Sequence, residues 1–488
     1  MSFSPALFWA ALLGLTALRL LVAGVTPISP DEAYYWVWSR ALAPGYLDHP
    51  PMVAIWIHAG TLLLGHGALG IRLLAPLSAL LGSVFLLDAA RRLGAGRGYV
   101  AVLLLNATLL FGAGGILMTP DTPLMLFWIM TLWAMARVVS GGSGTWWLVV
   151  GIAAGLALDS KYTAALLLVG IGLWLLLLPA GRRWLRDPRP WLGLVVAVLL
   201  FLPVILWNAH RHWVSFLKQG GRTGDWHPAR ALQFLGELIG GQLGLATPLI
   251  FVLCVAGLIA VSRIAWQRRD PAAGLLVALG VLPALVFLQH ALGDRVQGNW
   301  PGILYPAAVI AAASLPLTTR LLRPALGVGF AMTLIVYLQA WASPIPLGGV
   351  GDPTIRVLGG WAPLAATVTA RAQAMGAHFV VIDEYGLGSE LAWRLPASLP
   401  VLAQDPRWAL FRLPLAGAAA PAGTRGLLVR TDRRRTPPDA TAWGSLYTIG
   451  DLGRGRYGRI GETYTLSSVT ADAEAGQILT RLPSGATP

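Results

Sequence analysis

Charge is scarce in this sequence, and so is cysteine. Only 12% of its 488 residues are charged while 56% are hydrophobic, which excludes a soluble domain of that length. The single cysteine, Cys254, lies within an apolar run and excludes both an intrachain disulfide and a cysteine metal cluster. Lysine is almost missing as well. Among 36 lysines and arginines only Lys161 and Lys218 are lysines. The net charge of +14 invites a nucleic-acid reading, but no basic stripe interleaved with aromatics is present and most arginines flank apolar runs. No Gly-rich phosphate loop opens a nucleotide-binding βαβ unit either.

What is present is a series of apolar runs near the ~20 residues that carry a helix across ~30 Å of hydrocarbon. They lack the alternation of a lipid-facing barrel strand. About eleven spans are expected, near 5–25, 69–90, 98–117, 123–139, 145–159, 162–179, 191–208, 237–261, 272–290, 301–317 and 325–342. The first has no basic start and no small-residue cleavage site, so it reads as a retained helix. The reading is an all-α polytopic membrane protein of bacterial inner-membrane type, with membrane lipids around it.

The loops differ in charge. One set, including Arg91, Arg92, Arg97, Arg182, Arg183, Arg268 and Arg269, is short and basic. The other carries Asp31, Glu32, Asp48, Asp121, Asp159, Asp225, Glu237 and Asp294 and, by the positive-inside bias, faces outward to the periplasm. An odd number of spans places the C-terminal segment outside too. There, prolines, polar residues and short apolar runs such as His378 to Ile382 suggest a small α/β domain. The expected division is therefore a transmembrane domain over 1–343 and a periplasmic domain over 344–488.

The first outer loop begins Ser29-Pro30-Asp31-Glu32, a capping box with proline at the first helical position. Tyr34, Tyr35, Trp36 and Trp38 follow, and suit a juxtamembrane helix at the water–bilayer boundary. Met52 to Leu64 is too short to span and reads as interfacial. The box gives the capping task to Glu32. Asp31 is then a candidate general base, against the plainer reading that it only meets the helix dipole.

Four further groups carry candidate chemistry. Asp48-His49-Pro50-Pro51 is either a stiff polar turn or a rigid ligand or metal contact, with one acid and one histidine making a weak divalent-metal signal. Asp121 either caps a span or joins the site. Lys161, followed by Tyr162, runs against the charge bias and either snorkels or holds a lipid phosphate. The loop from Trp207 to Trp226, with His210, His212, Lys218 and Arg222, is either an aromatic belt on anionic headgroups or a wall around a sugar phosphate. Arg72, Arg295 and Asn299 lie on the same side. Arg19, inside the first span, snorkels or pairs.

Together these residues resemble the GT-C glycosyltransferases, in the bacterial branch related to protein mannosyltransferases and lipid A aminoarabinose transferases. The likeness is carried by Pro30-Asp31-Glu32, Tyr46-Leu47-Asp48-His49-Pro50-Pro51, Thr119-Pro120-Asp121, Ser160-Lys161-Tyr162, Trp207-Asn208 through Ser215-Phe216, and Asn299-Trp300-Pro301. Asp352-Pro353-Thr354 and Tyr385 to Trp393 extend it less specifically. The resemblance implies a polyprenyl-phosphate-sugar donor, an inverting displacement, Asp31 at the active site, Asp121 in support and Lys161 facing the lipid phosphate. It implies a lipid A, protein or other envelope acceptor. The family's Glu-Lys-Pro element is Asp48-His49-Pro50 here, so the carboxylate carries over and the lysine does not. A flippase for lipid-linked sugars would also need polar groups at a bilayer face, but would place them nearer the midplane and often show repeats. A surface-polysaccharide polymerase or ligase would share the donor.

Overall fold

Prolines and short polar side chains set the starts of the helices in the computed structural model, which describes residues 4–94, 96–221, 226–347, 352–434 and 436–485. In chain order the helices used below are α1 (Pro5–Val25), α2 (Pro30–Ser39), α3 (Met52–Leu64), α4 (Ala68–Leu93), α5 (Gly98–Asn106), α6 (Leu109–Gly114), α7 (Asp121–Val139), α8 (Trp146–Leu158) and α9 (Tyr162–Leu177). They continue with α10 (Pro188–Ala209), α11 (Val214–Gly221), α12 (Ala231–Leu245), α13 (Pro248–Arg268), α14 (Pro271–His290), α15 (Trp300–Ala313), α16 (Pro316–Ala342), α17 (Trp361–Ala374) and α18 (Tyr385–Arg394). Asp187 and Asp270 cap α10 and α14 by accepting from the backbone N–H of Arg189 and Ala273, each with proline next in line.

Among the described residues seven helices are long and apolar enough to cross a membrane: α1, α4, α7, α10, α13, α14 and α16. An eighth is added if α9 and the helical turns of Pro179–Arg186, bent from it by 98°, form one span. The chain is a multi-pass membrane protein, but among its described residues helices of spanning length do not reproduce the count of eleven. Local chemistry explains the difference. The run at 98–117 breaks because Thr108 leaves the helix and its hydroxyl accepts from Phe111 N–H, starting α6. The run at 237–261 breaks at Thr247, whose φ of 67° ends α12 before Pro248 begins α13. The runs at 145–159 and 301–317 give the shorter helices α8 and α15.

Contacts group the chain into two units, each discontinuous in sequence. The first comprises Met1–Ala23, Leu47–Val53 and Arg72–Val336, and the second Gly24–Tyr46, Ala54–Ile71 and Tyr337–Pro488. Most of the first outer loop therefore groups with the C-terminal chain.

Within the first unit α4, α7, α8 and α10 pack in a row. Glycine lets α8 and α10 touch backbone to backbone. A Cβ on Gly151 would sit 2.1 Å from the Gly193 carbonyl oxygen, and one on Gly193 would sit 2.3 Å from that of Trp147. Gly151 and Gly155 have the small-residue spacing that membrane helices use for close approach. Gly151→Leu is expected to force the pair apart at a cost of about 1–3 kcal/mol. A lower melting temperature of the solubilised protein checks this, and an unchanged one contradicts it. Arg19 is buried in this unit, donating from Nη1 to Asn106 Oδ1 at 2.8 Å with its guanidinium over the Phe111 ring. It pairs with an amide inside the bundle and does not snorkel.

The second unit contains the expected α/β fold. Its six strands are β1 (Phe379–Ile382), β2 (Val401–Ala403), β3 (Arg425–Thr431), β4 (Trp443–Arg456), β5 (Arg459–Ala471) and β6 (Thr480–Arg481), ordered β4-β5-β3-β1-β2-β6. β1 runs parallel to β2 and β3, and the remaining pairs are antiparallel. The apolar face of the sheet, with Phe379, Val381, Leu402, Leu428 and Val469, forms the core. The α2 aromatics pack inside this unit: Tyr34, Trp36 and Trp38 are buried, with Trp38 stacked on Tyr46 and Tyr34 against Tyr385 and Trp408.

Candidate functional site

The first unit gathers its polar groups at helix breaks, where the chain must leave apolar packing. Asp121 opens α7 after Pro120, and Lys161 stands in extended conformation in the break between α8 and α9. Lys161 Nζ donates to both Asp121 oxygens, at 2.7 and 2.9 Å, and Asn299, just before α15, donates to Asp121 Oδ2 at 2.6 Å. Three residues expected separately on one side therefore meet. The lysine side chain is only 8% exposed, so its charge depends on the carboxylate for compensation. An ammonium group has three donors, and two lie along Asp121.

The second lysine repeats the arrangement. Lys218 on α11 forms an ion pair with Asp48, while Gln219 Nε2 donates to the Asp48 carbonyl oxygen at 2.6 Å. Met52 N–H donates to Asp159 O at 3.0 Å, tying the Asp48 segment to the break that carries Lys161. Tyr162, next along, shares a 2.6 Å hydrogen bond with Ser215, whose N–H donates to Asn208 Oδ1 at 3.2 Å. The ring of Tyr162 lies 4.9 Å from that of Phe216. Both lysines of the chain thus hold aspartates in one unit, beside a wall of aromatic and amide groups.

The other expected residues have different surroundings. Arg72 is fully buried and donates to Ala23 O at 3.1 Å, and Arg295 forms an exposed pair with Glu237. His210 and His212 are exposed, His212 at a φ of 52°. Arg222 lies outside the described residues. His49 is half-buried beside Asp48 in sequence, and among the described residues no group of three His, Cys, Asp or Glu side chains could hold a metal ion.

Asp31 and Glu32 belong to the second unit. The capping box is complete: Glu32 Oε2 accepts from Ser29 N–H at 2.9 Å, and Ser29 Oγ accepts from Glu32 N–H at 3.3 Å. Glu32 is fully buried in that role. Asp31, on the exposed side of the same turn, accepts from the Tyr385 hydroxyl at 3.1 Å. Tyr385 begins α18, and the guanidinium of Arg407 lies 4.3 Å from its ring centroid. Burial, then the neighbouring Asp31 carboxylate, pushes the Tyr385 hydroxyl pKa up, so it stays protonated and able to donate. Gly386 admits α18 to this position, since a Cβ there would lie 2.9 Å from that of Pro30.

Glu390, one turn further along α18, was not singled out by its sequence context. It is buried against Arg394, and its carboxyl is pushed up to about 8, chiefly by burial. The pull of Arg394 and Arg454 opposes that shift and Glu32 adds to it. Tyr385 and Glu390 lie far from the first loop in sequence. The likeness of Tyr385 to Trp393 to the C-terminal part of the GT-C branch was the signal that marked the segment.

The chain as a whole is similar to several known proteins. The family model for dolichyl-phosphate-mannose-protein mannosyltransferase matches residues 48–207. A lipid A galacturonosyltransferase of Rhizobium johnstonii, RgtD, is 28% identical over 410 residues, covering 81% of this chain and 84% of that protein. An undecaprenyl phosphate-alpha-4-amino-4-deoxy-L-arabinose arabinosyl transferase of Enterobacter sp. is 25% identical over 338 residues, covering 60% of this chain and 56% of the relative. Among solved structures, ArnT from Cupriavidus metallidurans bound to undecaprenyl phosphate aligns over 95% of this chain and 97% of its own, with a TM-score of 0.62 at 16% identity.

Proposed function

We propose that this chain, which has the GT-C glycosyltransferase fold, moves a sugar from a polyprenyl-phosphate donor to lipid A or a related envelope glycolipid on the periplasmic face of the inner membrane. The observation that carries the reading is the pair of lysine–aspartate contacts in the first unit, Lys161 with Asp121 and Lys218 with Asp48. A lipid-linked donor presents its phosphate at the membrane boundary, where such cations are wanted. The names of RgtD and of the arabinosyl transferase supply the donor and acceptor classes.

In this reading an acceptor hydroxyl, polarised by Asp31, attacks the anomeric carbon and passes its proton to the carboxylate. The bond from that carbon to the phosphate oxygen breaks with inversion. The lipid phosphate leaves with the electron pair, and Lys161 and Lys218 stabilise its charge. Asp121 and Asn299 keep Lys161 in place. Mass spectrometry of envelope glycolipids with and without the gene tests the reading. Deletion is expected to remove a lipid A species heavier by one sugar, and identical spectra would overturn it.

A further inference from the structure

The hairpin of β4 and β5 turns back through two residues, Tyr457 and Gly458, closed by the pairing of Arg456 with Arg459. Both loop residues have positive φ, 53° and 73°. That geometry matches the twist of the flanking strands and favours asparagine or glycine, so a tyrosine at the first position is strained. Tyr457 is nonetheless 70% exposed, and Ile460 beside it is 55% exposed.

Exposure alone does not set this tip apart, since Tyr447 and Ile449 are exposed further back on β4. Its neighbours do. Arg454 donates to Arg356 O and Gly359 O, but Arg456, nearer the tip, donates to Ala340 O at 3.3 Å, Trp341 O at 3.0 Å and Ser343 Oγ at 3.1 Å. Arg459 donates to Ile345 O at 3.4 Å. Ala340 and Trp341 end α16, a helix long and apolar enough to span, so the tip is tied to the level at which the chain leaves the hydrocarbon. Trp341 is itself exposed there, as aromatics at a water–bilayer boundary are. All these residues lie in the second unit.

We propose that the hairpin tip is an interfacial anchor, with Tyr457 and Ile460 seated at the phospholipid headgroup boundary. An exposed tyrosine offers an apolar ring and a polar hydroxyl, the combination such a boundary holds. Arg456 and Arg459 bond only neutral oxygens, so the tip keeps positive charge for anionic headgroups. At this depth the N–H and C=O groups of the turn stay hydrated, which burial in hydrocarbon would forbid. The strain at Tyr457 then has a use, because it aims the ring outward from the end of the sheet. The inference rests on the hairpin and the end of α16, and not on the transfer reaction.

The test is site-directed fluorescence of the full-length protein in liposomes of phosphatidylcholine and phosphatidylglycerol. Tyr457→Cys, Ile460→Cys and Tyr447→Cys are each labelled with bimane, and wild type, with its buried Cys254, is the blank. Tyr447, about 30 Å back along β4, is the aqueous reference. All three side chains are exposed, so the replacements remove no core contact. At the two tip positions phospholipid brominated near the headgroup is expected to quench more than iodide supplied on both sides of the bilayer, and emission to shift to the blue. At Tyr447 the order of the quenchers should reverse. Iodide quenching at the tip as strong as at Tyr447 overturns the proposal. So does shielding of the tip from both quenchers, which would mean that a protein surface covers it.

Discussion

Asp31→Asn is expected to lower sugar transfer by about 10²–10⁴-fold, the usual contribution of a positioned general base, with insertion and melting temperature unchanged. The substitution keeps the shape of the side chain and its ability to accept from Tyr385, and removes only the capacity to take a proton. Fold should not respond, because the helix start rests on Ser29 and Glu32 and not on Asp31. Tyr385→Phe provides the comparison. It removes the hydroxyl at 3.1 Å but keeps the ring contacts with Tyr34 and Arg407, so its effect should stay within about tenfold. Turnover by purified protein with a polyprenyl-phosphate-sugar donor decides the matter. Full activity in Asp31→Asn would eliminate the carboxylate as base.

Lys161→Ala should act on both stability and chemistry. It leaves Asp121 without its partner in a largely buried site, a change that costs about 3–5 kcal/mol when an ion pair is fully enclosed and less here, where Asp121 is 26% exposed. Transfer should also fall, with saturation by donor weakened more than saturation by acceptor, if the cation serves the leaving phosphate as proposed. Lys161→Arg retains charge and should recover most of the stability. Equal weakening toward donor and acceptor in Lys161→Ala would place the lysine in a purely structural pair with Asp121.

Much of the local structure was readable beforehand because local rules govern it. Ser29, Pro30 and Glu32 start a helix through contacts three residues apart, and the structure reproduces that capping box in full. Apolar run length identified the membrane helices well where no polar residue interrupted. It did not foresee the helix breaks that a single side chain sets, as with the Thr108 hydroxyl and the positive φ of Thr247. Aromatic content of α2 did not reveal how deeply its rings are packed against other protein groups, because tyrosine and tryptophan suit a bilayer boundary and a protein core equally.

The candidate site divides in the same way. Asp31, Asp48, Asp121, Lys161, Lys218 and Asn299 were visible as polar exceptions in an apolar chain, and the two lysines stood out by rarity. Their pairing was not visible, since Lys161 meets Asp121 across 40 positions and Lys218 meets Asp48 across 170. Nor was the Tyr385 contact with Asp31, made across 354 positions.

The sequence by itself determined a multi-pass membrane protein with a small α/β segment, a capped helix carrying Asp31, and a short set of charged residues at helix breaks. Each follows from composition or from contacts within one helical turn. The tertiary structure alone decided which acid neutralises which lysine, that Glu32 is buried in its cap, and that Tyr385 reaches Asp31. Those outcomes depend on which helices and strands pack together, and that packing is set by close contacts between residues far apart in the chain.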